Sequence, residues 1–214
     1  MARPRNPASG ARIAILLAAR DEFAQRGYAA ARVEALAGRA RVNKALIYYY
    51  FGSKLGLYRE VLREGISGFV ARLRAVAAAD APPDDKVRRW VEEIAAHLSE
   101  NSSLPPILLR ELADGGQHLD NDTLRHMTSI VPMIQRIVAE GRQAGSFADA
   151  DPITLHFVLL GSLVLFTSNA PIRRRVRDLG LAQPPLEIEP FVRHLQDVVL
   201  RSLRKDPTHA DSTA

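Results

Sequence analysis

The sequence contains no cysteine, which excludes disulfides, thiolate-held zinc or iron–sulfur clusters and a cysteine nucleophile. It has no hydrophobic run of membrane-spanning length: the longest, 153–166, carries His156 and Ser162 and falls short of the roughly 18–20 residues a span needs. No apolar stretch follows the basic start Met1-Ala-Arg-Pro-Arg-Asn-Pro, so no secretory leader is expected and the cytoplasm is the expected compartment. The six histidines form no His-x-x-x-His pair, and the sequence lacks Gly-x-Ser-x-Gly, Gly-x-Gly-x-x-Gly and the phosphate-binding Gly-x-x-x-x-Gly-Lys. Neither an enzyme nor a cofactor or metal site is expected. Alternating strand patterns and internal repeats are also missing. Even tyrosine is absent from most of the chain, since all five (28, 48, 49, 50, 58) precede residue 59.

What is present is an ordinary globular composition, 47% hydrophobic and 25% charged over 214 residues, enough for one large or two small domains. Charge is unevenly spread. Residues 1–63 hold twelve Lys and Arg against four acids, a net of +8, which leaves −3 for the other 151 residues of a chain whose total is +5. A basic first third on a mildly acidic body suits a polyanion-binding module, because Lys and Arg hold polyphosphates largely by releasing counterions. A merely solvated basic surface fits the charge equally well.

Helical periodicity runs almost throughout. Ile13, Leu16, Leu17, Phe23 and Ala24 share a face between Ser9, a candidate N-cap, and Gly27, a stop. Val33, Leu36, Ala37 and Ala40 mark a short second helix. Asn43 can cap a third through Phe51, and Ser53 a fourth from Lys54. Beyond residue 64 the helices lengthen: a strong stripe runs from Val87 to Leu98, a shorter helix from Ile107 to Leu112, and a long one from Met127 to Val138 with Pro132 predicting a kink or a late start. Residues 152–168 are apolar almost all round. Residues from about 189 carry the stripe Phe191, Leu195, Val198, Val199, Leu203, and 169–188, with three prolines, Gly180 and four arginines, reads as a long loop. The expected fold is all-α: a flexible basic arm (1–10, with Arg3 and Arg5), a helix-turn-helix three-helix domain (11–60), a larger helical bundle (61–206) and a disordered tail (207–214).

Two short helices joined by a three- or four-residue turn at Arg41-Val42-Asn43 make a helix-turn-helix whose second helix can enter a major groove. Ile47 and Phe51 point inward with Val42, so Lys44, Ala45, Leu46, Tyr48 and Tyr49 face out. Ala45 permits close approach to DNA, the tyrosine hydroxyls can donate to phosphate, Lys44 can reach phosphate or guanine, and Leu46 can touch a thymine methyl. Val33-x-x-Leu36-Ala37-x-x-Ala40-x-Val42, followed by Lys44-Ala45-x-Ile47-Tyr48-Tyr49-Tyr50-Phe51-x-Ser53-Lys54-x-x-Leu57, resembles the N-terminal signature of the TetR family of bacterial transcriptional regulators over roughly residues 10–62. Ala31 and Arg32 depart from the family's Thr or Ser, Arg41 from its turn glycine, and Asn43 from its common Ser. The resemblance implies an operator surface at Lys44, Ala45, Tyr48 and Tyr49, with Lys54 and the Ser53 helix start on phosphate, which helix-terminus physics also favours.

On the same pattern the body is an all-helical ligand and dimerisation domain. Independently, the two apolar helices need partner surfaces, and Phe157, Leu160, Gly161, Val164, Phe191, Leu195, Val198 and Val199 are the expected homodimer contacts. Apolar residues with sparse polar groups among them, Trp90, His97, Arg110, Met127, Met133, Phe166 and Asn169, are the candidate pocket for an unknown small-molecule effector. The expected function is a ligand-responsive homodimeric repressor on double-stranded DNA with an inverted-repeat operator, and no membrane partner. An activator and a sequence-indifferent architectural DNA binder are the alternatives.

Overall fold

The computed structural model describes residues 7–185 and 187–204; the expected arm residues Arg3 and Arg5 and the tail from 207 lie outside them. The described residues form eleven helices and no strand beyond an isolated bridge between Phe147 and Arg204. In order these are α1 (Pro7–Ala30), α2 (Val33–Ala40), α3 (Lys44–Phe51), α4 (Lys54–Ala78), α5 (Pro83–Glu100), α6 (Leu104–Ala113), α7 (Asn121–Thr128), α8 (Val131–Gln143), α9 (Pro152–Ser168), α10 (Ala170–Asp178) and α11 (Ile188–Leu203). Among the described residues, no single helix is long and apolar enough to cross a membrane.

Local chemistry sets many of the boundaries. The Asn43 Oδ1 accepts the Ala45 N–H, the Ser53 Oγ the Gly56 N–H, and the Asp151 carboxylate the Thr154 N–H, each satisfying a donor that the start of a helix leaves free. Pro132 falls in the first turn of α8, so the long 127–138 helix is in fact two, and the late start is the right reading of that proline. Helix α1 begins at Pro7, ahead of Ser9, and breaks at Gly27 (φ 73°, ψ 173°), a conformation that L side chains rarely adopt. The largest departure is α10. The expected loop holds a nine-residue helix, opened by Pro171 in its first turn and followed by Gly180 at φ 68°.

The chain forms two compact units, Met1–Ser67 with Asn101–Arg125, and Gly68–Glu100 with His126–Ala214. Within α4 the division falls between residues 67 and 68. Residues 101–125 join the first unit because they bond to α1 and α4: Arg110 donates to the Phe23, Ala24 and Gln25 carbonyls, and Arg59 donates to the His118 carbonyl at 2.8 Å. The core of the first unit gathers Ile15, Phe23, Leu36, Ile47, Leu57 and Leu62, all fully buried.

In the second unit α5 is the central helix. On one side Lys86, almost wholly buried, reaches Glu140 of α8 at 2.5 Å and the Ala77 carbonyl of α4 at 3.4 Å. On another, Gln196 of α11 donates to the Arg88 carbonyl and to Glu92. Helix α9 buries Leu155, Leu159, Leu163 and Phe166 and leaves Ile153, Phe157, Gly161 and Leu165, spaced four apart, exposed. His156 is buried beside them, its Nδ1 without a hydrogen-bond partner among the described residues.

Burial holds the His156 imidazole below its ordinary pKa of 6.5, because the charged ring is poorly solvated there. The unfolded chain therefore binds this proton and the folded one does not, so stability falls as pH drops from about 6.5 towards the depressed value. Chemical denaturation between about pH 7 and pH 5 is expected to show that loss, above the range in which carboxylates titrate. His156→Leu should flatten this part of the profile; an unchanged slope would show that the loss comes from another group.

Candidate nucleic-acid interface

The recognition element is built on Ile47, fully buried, and on α2 Leu36 and Ala37 are buried as well. Anchoring one side of an eight-residue helix leaves the opposite side to solvent. There Tyr49 is 79% and Tyr48 46% exposed, with Lys44 and Ala45 exposed beside them and Leu46 half-buried. The rings of Tyr49 and Tyr50 meet edge-on at 5.1 Å, which stiffens the aromatic run. Rings exposed on this side are free to meet a duplex groove, which offers both sugar contacts and phosphate acceptors.

The Lys44 Nζ lies 3.3 Å from Glu34 of α2, and both side chains are more than half exposed. The Glu34 carboxyl is held below the usual range by its own backbone N–H and then by Lys44. Such an exposed pair contributes little to stability and is readily exchanged for a phosphate. Lys54 is more engaged: its Nζ donates to the Ala29 carbonyl at 3.2 Å and sits 4.6 Å from the Tyr28 ring centroid, and partial burial lowers its pKa. It braces the junction of α1 and α4 and stands beside the capped Ser53 helix start. At that start Gly56 is obligatory, since a Cβ there would lie 2.1 Å from the Phe51 carbonyl oxygen closing α3. Nothing in the local pattern beyond the glycine itself signals that approach.

The same compact unit holds a polar cluster that sequence reasoning missed. Glu111 of α6, 2% exposed, accepts hydrogen bonds from the Tyr58 hydroxyl and the His118 backbone N–H, and contacts the His118 Nδ1, each at 2.9 Å. The His118 ring packs against Tyr28 at 4.2 Å and Tyr58 at 5.3 Å. Burial, then the bond to Glu111, pushes the Tyr58 hydroxyl far above its usual range and keeps it a donor. Next along α6, Arg110 caps the α1 carbonyls at the Gly27 break, where its Cδ would lie 3.3 Å from any added Cβ.

The candidate effector residues are spread over several helices. Arg110 belongs to the first unit and is occupied as a helix cap. Trp90 and His97 lie on the Lys86 stripe of α5, the side that meets Ala77, Gly68 and Phe69 of α4. Both are buried, and the Trp90 Nε1 has no hydrogen-bond partner among the described residues. Phe166 stacks on Phe191 at 4.1 Å beneath the Arg173 guanidinium, and Asn169 accepts from Arg173 where α9 meets α10. Met127 and Met133 are half-buried. An open groove of about 420 Å³, lined by Gln135, Val138, Arg142, Asp149, Asp151 and Pro152 among others, includes none of these candidates. Of the expected dimer residues, Phe157, Gly161 and Val198 are exposed and Leu160 and Phe191 half-buried, whereas Val164, Leu195 and Val199 are buried within the subunit.

Comparison with known proteins agrees with this arrangement. Residues 15–61 match the model described as bacterial regulatory proteins, tetR family, and residues 83–200 match a tetracyclin repressor-like C-terminal domain. The chain is 28% identical over 194 residues to the HTH-type transcriptional repressor NicS of Pseudomonas putida, covering 89% of this chain and 91% of that protein. It is 30% identical over 165 residues to the HTH-type transcriptional repressor SCO4008 of Streptomyces coelicolor, covering 76% and 80%. A bacterial regulatory protein in the tetR family from Rhodococcus RHA1 shares the fold with a TM-score of 0.74 at 18% identity, covering 92% of this chain and 98% of that one.

Proposed function

The chain belongs to the TetR family of bacterial regulatory proteins, and from that premise we propose that it is a cytoplasmic homodimeric repressor, released from an inverted-repeat operator by a small, largely apolar effector. The observation that carries the DNA reading is the solvent-facing set of Lys44, Ala45, Tyr48 and Tyr49 on a helix whose other side is anchored by Ile47. Two such helices about one DNA turn apart, roughly 34–36 Å, read the two halves of a palindrome. Selection from a randomised duplex library is expected to return an inverted repeat with that half-site spacing. Recovery without any sequence preference supports the architectural alternative. Within the complex, Lys54→Ala should weaken binding to all sequences, while changes at Tyr48 or Lys44 also relax base preference.

The effector reading rests on Trp90. A fully buried indole N–H without an acceptor is a costly arrangement, and a ligand carbonyl or carboxylate seated against α5 relieves it. An effector that prefers the conformation with poor DNA affinity weakens operator binding by the factor it gains itself. Trp90 is the chain's one tryptophan, so its emission reports this site alone. Compounds that release the operator are expected to change that emission. Release with unchanged emission places the effector elsewhere.

A further inference from the structure

We propose that Arg41 is a phosphate contact of the DNA-bound protein, set in a backbone position whose conformation disfavours it. Helix α2 ends with the Val42 N–H bonded to the Ala37 carbonyl at 3.0 Å and the Arg41 N–H to the Gly38 carbonyl at 3.2 Å. This paired closure requires a left-handed residue between them, and glycine is its usual occupant because a Cβ crowds the following carbonyl. Arg41 adopts that conformation at φ 54°, ψ 43°. It is the one non-glycine residue with positive φ among the described residues, and the six other such positions are all glycine.

The charge, too, is left unpaired among the described residues. Most other cations of this unit are occupied: Arg12, Arg20 and Arg63 by Glu60 and Glu64, Arg26 and Arg39 by Glu22, Arg59 by Asp120, Lys44 by Glu34 and Lys54 by the Ala29 carbonyl. Arg41 is exposed, and no carboxylate pairs with it among the described residues. The arginine thus neither relieves the turn nor neutralises an acid. Both local rules are broken at one residue, three positions before α3, and such coincidences concentrate at functional sites. A helix lying in the major groove carries the turn before it over the flanking sugar–phosphate strand, where a free guanidinium makes bidentate bonds.

The proposal rests on the DNA-binding reading, and the test separates the two. The full-length protein, Arg41→Gly and Arg41→Lys are titrated against a labelled mixed-sequence duplex over a range of salt, and each is melted without DNA. Arg41→Gly is expected to bind about tenfold more weakly near 0.1 M salt, with a slope of log K on log salt shallower by about 0.9. Its melting temperature rises by about 2 °C, since the strain is gone. Arg41→Lys keeps the charge and hence the wild-type slope. An Arg41→Gly protein with wild-type affinity and slope overturns the proposal. So does one that melts lower than wild type, which shows the arginine stabilising its own turn. A wild-type protein that binds no duplex removes the DNA-binding reading, and this proposal with it, before any variant is compared.

Discussion

Glu111→Ala is expected to destabilise the first unit by about 3–5 kcal/mol, the range typical of removing one partner from a buried charged network. The side chain is nearly inaccessible, so solvent does not screen the loss. Its removal strands the Tyr58 hydroxyl, the His118 Nδ1 and the His118 backbone N–H, and each buried unsatisfied donor costs about 1–3 kcal/mol. Water entering the cavity recovers part of that, which is why the sum is not the expectation. Glu111→Gln keeps an acceptor carbonyl but turns an amide NH₂ towards one of the donors, so an intermediate loss is expected. Because the chain forms two units, a single melting curve can mix two transitions, and hydrogen exchange of α1 and α6 amides measures the relevant one. Protection in both helices should fall together. A loss under about 1 kcal/mol would show that the cluster is water-filled and carries little of the packing of 101–125 on α1 and α4.

That cluster also shows where sequence reasoning ends. Asn43 and Ser53 were legible as caps because a cap is settled within three residues, and Asn43–Phe51 was legible as an outward-facing helix because three consecutive tyrosines point in different directions on a helix. The Glu111, His118 and Tyr58 set joins residues up to 60 apart, and no local pattern announces it. Arg110 reads as a pocket residue from its type among apolar neighbours in the sequence, but the break at Gly27 gives it carbonyls to cap. Helix α10 was hidden by its own punctuation. Pro171 and Gly180 read as loop residues when taken together, yet they stand where a short helix starts and stops. In α9 nearly every position is apolar, so periodicity could not say which side faces the subunit's own core. Val164 faces inward, whereas Phe157 and Gly161 face solvent.

That division makes the dimer reading testable with two opposite substitutions on one stripe. Phe157→Glu leaves the isolated subunit nearly intact, since Phe157 is 68% exposed, but in a two-fold interface it places two carboxylates against an apolar surface. Each unpaired charge so buried costs about 3–5 kcal/mol, enough to make the protein monomeric at micromolar concentration. DNA affinity should then fall more than about 100-fold, because the second half-site is no longer reached intramolecularly. Gly161→Ala acts the other way on the subunit. A Cβ at Gly161 meets nothing within 4 Å, and alanine in a helix interior is favoured over glycine by about 1 kcal/mol, so the isolated chain gains stability. If the paired α9 backbones approach closely at Gly161, the same methyl group weakens the dimer. Sedimentation equilibrium of both variants decides the matter. A Phe157→Glu protein that stays dimeric rules out the exposed α9 stripe as the interface, and a Gly161→Ala dimer that tightens rules out close backbone approach at that residue while leaving the stripe in place.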